Sequence, residues 1–216
     1  MYTRALKRAG SDGIATGPLD SLALPSESAG ERMTTIVGFA GSLRAASLNA
    51  ALLGAAVAAM PPGATLVSGT IRGIPLYDAD VEARDGLPPA VLELKAQIAS
   101  SQGLLLVTPE YNNSMPGVLK NAIDWLSRPA TDIPRVFGGR PVALIGASPG
   151  GFGTILSQSA WLPVLKTLGT DVWSGGRLMV SRADGVFDAE GRLTDERVRE
   201  QLGRFLKGFV EFAGGR

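Results

Sequence analysis

The sequence predicts an α/β fold in which a doubly wound, five-stranded parallel sheet carries helices on both faces. Apolar runs of strand length alternate with segments of helical period from Thr34 to the C-terminus, which is the pattern of parallel strands joined by crossover helices. The run from Gly103 to Thr108 is apolar along its length, as expected of a central strand that is buried on both faces. Loops rich in glycine, serine and asparagine follow several of the predicted strands, so we expect them at one edge of the sheet.

The first two strands and helices are defined by apolar spacing and by prolines. Strands are predicted over 34–40 and 64–71. A helix with one apolar side connects them from about Ser47 to Met60, and Pro61 stops it because proline cannot continue a helix. The second helix is predicted over 87–101, where a proline pair opens a segment with apolar residues at helical spacing.

The central part of the chain repeats this alternation. After the strand over 103–108, a helix is predicted to begin near Pro116, and the next strand spans 141–147. A helix over 154–168 follows, and Pro163 inside it is expected to bend the helix because its nitrogen carries no proton.

The last strand and helix, over 171–180 and 195–212, bring the predicted totals to five strands and five helices. Loops with clustered hydrogen-bond donors follow strands one, three and four, whereas the loop after strand two lacks such a cluster. These three loops lie side by side in the strand order 2-1-3-4-5, the flavodoxin-like order. The first turn, residues 38–43, also lacks the Gly-x-Gly-x-x-Gly pattern of a dinucleotide fold. We therefore predict the flavodoxin-like order.

Composition excludes several classes of function. The 216 residues contain 21 lysines and arginines against 20 aspartates and glutamates, so no net field attracts nucleic acid or an anionic membrane. The chain contains neither cysteine nor histidine, which excludes thiol nucleophiles, disulfides, histidine-based catalysis and the usual transition-metal sites. Any chemistry must therefore use carboxylates, hydroxyls, lysine or arginine, or must be carried by a bound cofactor.

Residues 1–32 show neither helical nor strand period, and we expect a disordered extension in front of a domain over 33–216. Arg4, Lys7 and Arg8 are not followed by a continuous apolar stretch, so no secretory signal is expected. We accordingly expect a cytoplasmic protein with no membrane partner and no nucleic-acid partner.

The loop after the first strand has the chemistry of an anion site. Arg44 offers a forked set of donors, and the side chains of Ser42, Ser47 and Asn49 can each donate one more hydrogen bond where a helix begins. A structural interpretation fits as well, in which Ser47 is only a helix cap and Arg44 is a solvated surface charge. The loop by itself does not decide between the two.

The loops after the third and fourth strands complete the proposed site. Pro109 ends its strand, so the amides of residues 110–112 are expected to be free of strand pairing. The side chains of Tyr111 and Asn112 are then available to contact the ring of a flat ligand. An asparagine-rich turn between strand and helix is the structural alternative. Ser148 and the glycines after it either let a ligand approach the backbone or only form a tight turn.

Three segments together resemble the NAD(P)H-dependent FMN reductases of flavodoxin-like fold, which include bacterial chromate and quinone reductases. They are 41–49, then 109–112 with 120–127, and more loosely 74–78. The resemblance implies that the first loop holds the FMN phosphate, that the ring lies against the second loop, and that the third loop contributes further contacts. The implied FMN-binding residues are Ser42, Leu43, Arg44, Ser47, Leu48, Asn49, Pro109, Glu110, Tyr111, Asn112, Ser148 and Gly150. Hydride transfer needs no side-chain base, so no catalytic side chain is assigned and Glu110 receives a positioning role.

The resulting hypothesis is a reductase in which FMN accepts hydride from NADH or NADPH and passes electrons to a small acceptor by ping-pong kinetics. Quinones, azo compounds, metal oxyanions such as chromate and free flavin are the acceptor classes considered. The resemblance also implies a homodimer or a homotetramer. A one-electron carrier like flavodoxin and a flavin-free binding scaffold remain as alternatives, although carriers are usually acidic around the flavin and this chain is near neutral.

Overall fold

A parallel sheet forms the centre of the structure, a computed structural model that describes residues 33–215. The predicted N-terminal extension lies outside the described residues. The strands are β1 Thr34–Ala40, β2 Ala64–Ser68, β3 Gly103–Val107, β4 Pro141–Ala147, β5 Asp171–Val172 and β6 Leu178–Val180. The α-helices are α1 Leu48–Ala58, α2 Ala79–Asp85, α3 Pro89–Ala99, α4 Gly117–Leu126, α5 Ile133–Val136, α6 Ile155–Thr167 and α7 Glu196–Gly214. Single 3₁₀ turns occupy Ala130–Asp132 and Ala183–Gly185.

The strand order is β2-β1-β3-β4-β5, and every pairing is parallel, which confirms the predicted flavodoxin-like order. The predicted fifth strand is divided into β5 and β6, both of which pair with β4. Val172 pairs with Val142 and Leu178 with Ile145, so the fifth strand has more residues between these pairs than β4 has. The extra residues begin at Trp173, whose amide still donates to the carbonyl of Val142 at 2.8 Å and whose ring packs edge-on against Phe205 of α7.

Helix α2 was not predicted, because it is short, polar and contains no buried residue. Its N-terminus is capped by Asp78, whose side chain accepts a hydrogen bond from the amide of Asp80. Helix α5 is too short to show a helical period in the sequence. The second strand ends at Ser68 rather than at Ile71. Pro163 lies inside α6, which continues to Thr167.

Apolar side chains fill the space on both faces of the sheet, as predicted. On one face, α1 and α7 pack through Leu52 and Phe209 among others. On the other face, α3, α4 and α6 form a second core that contains the indoles of Trp125 and Trp161, both fully buried. None of the helices in the described range is both long and apolar enough to cross a membrane.

The sheet register brings three loops to one edge. Ala40, the last residue of β1, pairs with Val107, the last residue of β3. Val107 in turn pairs with Ile145 near the end of β4. Because these strands are parallel, the loops that follow β1, β3 and β4 leave the sheet side by side.

Candidate functional site

Helix α1 begins with a capped and partly unsatisfied N-terminus. The Ser47 hydroxyl oxygen accepts a hydrogen bond of 3.2 Å from the amide of Ala50, with Ser47 in an extended conformation at φ −78° and ψ 119°. The amides of Leu48 and Asn49 have no acceptor among the described residues, as expected in a first helical turn. These free donors and the positive end of the helix favour a bound anion.

Two further donors of the loop after β1 lie beside this helix end. The exposed Arg44 guanidinium donates from Nη2 to the carbonyl of Ala46 at 2.6 Å, which bends the side chain back over its own loop. The Ser42 hydroxyl oxygen accepts from the hydroxyl of Tyr111 at 3.3 Å, so it joins the loops after β1 and β3. Arg72, beyond β2, donates to the carbonyl of Leu43 at 2.7 Å and supports the loop from outside.

The side chain of Asn49 is used within the protein. Its amide group donates to the carbonyl of Ala147 at 2.9 Å, and its oxygen accepts from the Ala147 amide at 2.9 Å. Asn49 is buried and ties the first turn of α1 to the last residue of β4. These two hydrogen bonds give the Asn49 side chain a structural role, whereas the sequence predicted it as a phosphate ligand.

The loop after β3 is a tight turn. Tyr111 and Ser114 exchange two backbone hydrogen bonds of 3.1 Å, and Asn112 and Asn113 between them have φ of 50° and 61°. Two consecutive residues with positive φ are the geometry of a type I′ turn, for which asparagine is well suited. The amides of residues 110–112 lie beyond the end of β3, as expected, but the Tyr111 amide is paired with Ser114 across the turn and is not available to a ligand.

A glycine allows the loops after β1 and β3 to approach each other closely. A Cβ atom on Gly41 would lie 3.0 Å from Cδ of Pro109 and 2.6 Å from a side-chain carbon of Leu119. Any larger residue would push the two loops apart. The Gly41 amide also donates to the carbonyl of Val107 at 2.8 Å, which extends the pairing of β1 and β3 by one step.

Glu110 extends from the same loop to helix α6. Its Oε2 atom accepts hydrogen bonds from the amides of Leu156 at 2.8 Å and Ser157 at 3.0 Å. A carboxylate at a helix N-terminus is favourable because the free amides and the helix dipole both stabilise the negative charge.

The loop after β4 is held by the segment that follows β6. The Ser148 hydroxyl oxygen accepts from the amide of Gly150 at 3.1 Å. The carbonyls of Ser148 and Gly150 accept from the amides of Ala183 at 3.1 Å and Arg182 at 3.0 Å. Asp184, the next residue of that segment, consequently lies beside the three loops.

These loops enclose a cavity of about 360 Å³. It is lined by Ser42, Arg44, Ser47, Leu48, Asn49, Pro109, Glu110, Tyr111, Ala147, Ser148, Pro149 and Asp184. Among the predicted site residues, Leu43, Asn112 and Gly150 flank the cavity without lining it. Asp184 was missed, because its place in the cavity depends on how the segment after β6 packs and no motif surrounds it in the sequence.

Two further segments carry the family resemblance, 74–78 and 120–127, and they are hydrogen-bonded to each other. The amide of Tyr77 donates to the side-chain oxygen of Asn121 at 2.8 Å. The carbonyl of Pro75 accepts from the side chains of Asn121 at 2.8 Å and Trp125 at 2.9 Å. These contacts give both stretches a structural role, because they fasten the loop after β2 to α4.

Glu82 on α2 forms an ion pair beside that loop. Its carboxylate accepts from Nε of Arg128 at 3.0 Å and from the hydroxyl of Tyr77 at 2.9 Å. Partial burial raises the pKa of Glu82, but the hydrogen bonds from Arg128 and Tyr77 outweigh this effect, so the pKa lies below its usual value. The hydrogen bond between Tyr77 and Glu82 also raises the pKa of the Tyr77 hydroxyl.

The chemistry of the cavity fits a phosphorylated mononucleotide with a flat ring. Free helix amides, a guanidinium and a hydroxyl border one end, which suits a phosphate dianion. Pro109 and Tyr111 line the same cavity and present apolar surface to a ring. The volume is within the range of small-molecule sites.

Comparison with known proteins agrees with this assessment. The sequence profile of the family described as NADPH-dependent FMN reductase matches residues 34–185. An NAD(P)H-dependent FMN reductase of Pseudomonas aeruginosa is 45% identical over 172 residues, which are 80% of this chain and 91% of that protein. A 2-hydroxy-1,4-benzoquinone reductase from a Burkholderia species is 38% identical and covers 82% of this chain and 94% of its own. The solved structure of a flavoenzyme NAD(P)H:(acceptor) oxidoreductase from Paracoccus denitrificans has a TM-score of 0.75 at 34% identity, with 84% of this chain and 98% of that chain covered.

Proposed function

The chain belongs to the NADPH-dependent FMN reductase family, and we propose that FMN binds in the cavity between the loops after β1, β3 and β4. The observation that supports this most strongly is that the donors of the first loop and the rings of Pro109 and Tyr111 from the second loop border one cavity. The protein then acts as an oxidoreductase that passes reducing equivalents from NADH or NADPH to a small acceptor.

The phosphate end of the site is assigned to α1 and the loop before it. The amides of Leu48 and Asn49, the guanidinium of Arg44 and the hydroxyls of Ser42 and Ser47 supply the donors. To reach a phosphate, the Arg44 side chain gives up its bond to the Ala46 carbonyl, at small cost because both groups are exposed. Asn49 serves indirectly, by fixing the first turn of α1 against β4.

The ring end is assigned to Pro109, Glu110 and Tyr111, with Ser148 opposite. The free amide of Glu110 can donate to the polar edge of a flavin, and Pro109 and the Tyr111 ring supply apolar contact. Bound FMN supplies the hydride-accepting chemistry, and the protein supplies binding, orientation and hydrogen-bond donors. No side chain is required to remove a proton, which agrees with a chain that lacks histidine and cysteine.

For the acceptor, we propose a quinone. Two-electron reduction of a flat quinone fits a flavin site that is open at one side, and relatives named as quinone reductases from Escherichia coli and a benzoquinone reductase from a Burkholderia species support this class.

Because NADH and NADPH are cytoplasmic metabolites, we place the enzyme in the cytoplasm. We also propose a homodimer or homotetramer. The exposed apolar residues Leu156 and Leu162 on α6 support this proposal. Light scattering of the purified protein, which measures the mass of the assembly in solution, tests it.

A one-electron carrier is the second candidate, and it predicts a different reaction. A carrier reacts poorly with free NADPH, whereas the proposed reductase bleaches the flavin absorption within one turnover under anaerobic conditions. Stopped-flow absorbance of the FMN-loaded protein mixed with NADPH distinguishes the two. Purified protein that shows no flavin absorption even after added FMN would instead indicate a flavin-free scaffold.

The phosphate assignment is tested with Arg44→Ala and the control Arg84→Ala, which also removes an exposed arginine but lies on α2. Charge-assisted hydrogen bonds contribute roughly 1.5–3 kcal/mol each, so Arg44→Ala should weaken FMN binding at least tenfold. Arg84→Ala should bind FMN like the wild type. FMN fluorescence quenching gives both dissociation constants, and equal affinity of Arg44→Ala and wild type would refute the assignment.

A further inference from the structure

Helix α6 lacks an N-terminal cap of its own. Thr154 occupies the N-cap position with φ −121° and ψ 37°, and its side chain makes no capping hydrogen bond. By contrast, Ser47 and Asp195 cap α1 and α7 with their own side chains. The missing cap of α6 is supplied from another loop, because Oε2 of Glu110 accepts from the amides of both Leu156 and Ser157.

A buried hydrogen-bond network reinforces this contact. Thr108 Oγ1 lies 2.8 Å from the hydroxyl of Ser157, and Nε1 of Trp161 donates to the same Thr108 oxygen at 3.1 Å. Thr108, Ser157 and Trp161 are all fully buried. The residues on either side of Pro109 are thus both fastened to the first two turns of α6.

These bonds act on a segment that has left the strand ladder. Within it, Oγ1 of Thr108 donates to the carbonyl of Pro109 at 3.0 Å. Pro109 has no amide proton, and β3 ends at Val107, so the ladder does not hold the backbone beyond Thr108. The backbone bonds of the turn from Tyr111 to Ser114 close on the turn itself. Outside the turn, the exposed Tyr111 hydroxyl makes a 3.3 Å bond to Ser42 in the loop after β1. The bonds to α6 are the buried hydrogen bonds that connect this segment to another element, so the orientation of the backbone at residues 109–111, where it borders the cavity, depends chiefly on them.

We propose that Glu110 is a positioning residue for the flavin, which it orients by fastening the loop after β3 to the N-terminus of α6. This inference rests on the proposed function, because it assigns the ring of FMN to that loop. The carboxylate acts by geometry: both amides converge on one oxygen, and its negative charge is offset by the positive end of the helix. Loss of the contact leaves the ring side of the site free to adopt other conformations while the phosphate side is retained.

The test uses Glu110→Ala, Glu110→Asp and Glu110→Gln, together with the matched control Asp195→Ala. Asp195 caps α7 through the amide of Val198 at 2.9 Å, so its removal also deletes one helix cap, in a helix that does not border the cavity. Each variant is examined for FMN affinity by fluorescence quenching, for the shape of the bound-flavin visible spectrum, and for thermal unfolding without FMN.

Glu110→Ala and Glu110→Asp should bind FMN about tenfold more weakly and give a broadened flavin spectrum, because a disordered loop leaves the ring in a mixed environment. Glutamine retains a side-chain oxygen of the same reach, so Glu110→Gln should remain within about threefold of wild type. Asp195→Ala should lower the unfolding temperature by a few degrees and leave FMN affinity and spectrum unchanged.

The proposal is overturned if Glu110→Ala, or Glu110→Asp where the alanine variant does not fold, binds FMN with wild-type affinity and spectrum. A glutamine variant as weak as the alanine variant would also overturn it, because charge and not position would then be responsible. Wild-type protein that fails to bind FMN would refute the proposed function instead, so the two failures are distinguishable.

Discussion

Substitution of Asn49 by alanine separates a structural role of this residue from a ligand-binding role. The change removes both hydrogen bonds to Ala147 and leaves the amide and carbonyl of that buried residue without partners. Each unpaired buried group costs about 1–3 kcal/mol, so the total cost is about 2–6 kcal/mol. The cavity lies beside Asn49 and admits water to part of the vacated space, which favours the lower half of this range.

Thermal unfolding of the FMN-free protein measures this cost directly. For a domain of this size, each kcal/mol corresponds to roughly 2–4 °C, so Asn49→Ala should unfold on the order of 5–12 °C below wild type. Arg44→Ala is the comparison, because its side chain is exposed and its loss should change stability by less than about 0.5 kcal/mol. The two variants are therefore expected to differ in stability even if both weaken FMN binding.

A different result would refute this reasoning. If Asn49→Ala unfolds at the wild-type temperature without FMN and loses FMN affinity as Arg44→Ala does, then the carboxamide is chiefly a phosphate ligand. The bonds to Ala147 would in that case contribute nothing measurable to the fold.

Two further variants test the packing around the site. The hydrogen bond from the buried Lys95 ammonium, at 2.7 Å, and a weaker contribution from Arg135, at 3.0 Å, together lower the pKa of Asp132 to about 2. The carboxylate therefore stabilises the folded state fully above its ordinary pKa and progressively less as the pH falls toward 2. Asp132→Asn should accordingly unfold at a lower temperature than wild type at pH 7, and the gap should close between about pH 4 and pH 2; a gap independent of pH would contradict the ion pair. A Cβ on Gly146 would lie 2.2 Å from the carbonyl oxygen of Thr108, so Gly146→Ala should cost roughly 3 kcal/mol or more in urea unfolding. Gly151→Ala, where an added Cβ meets no atom within 4 Å, should cost less than about 0.5 kcal/mol, and equal stability of the two variants would contradict the close packing of β4.

Apolar periodicity was sufficient to predict the sheet, because its central strands and packed helices each bury a continuous apolar face. It was not sufficient where tertiary contacts override local pattern. Residues 171–180 were predicted as one strand, but the chain leaves the ladder after Trp173, whose ring packs against Phe205 of α7, and pairs with β4 again at Leu178. Helix α2 was missed for a different reason: it buries no residue and therefore has no apolar period in the sequence.

The site was predictable to the extent that its residues adjoin strand ends. Arg44 and Tyr111 lie in the short loops after β1 and β3, four residues beyond each strand end, so the strand order brings them to one cavity. Asp184 reaches the same cavity only through the backbone bonds between the segment after β6 and the loop after β4, which no local pattern encodes. The bond from Glu110 to α6 joins residues that lie 46 positions apart, so no local sequence motif predicts it either.

Ser47 shows why the structural and the functional interpretation of the first loop are compatible. Its hydroxyl oxygen accepts from the amide of Ala50, so the cap uses a lone pair and leaves the hydroxyl proton free. A hydroxyl that caps a helix therefore remains a donor, and it lies at the cavity beside the unpaired amides of Leu48 and Asn49. The cap also fixes the direction of those amides, because it defines where the first helical turn begins. The contacts that stabilise α1 are thus the contacts that hold its donors in place for a phosphate.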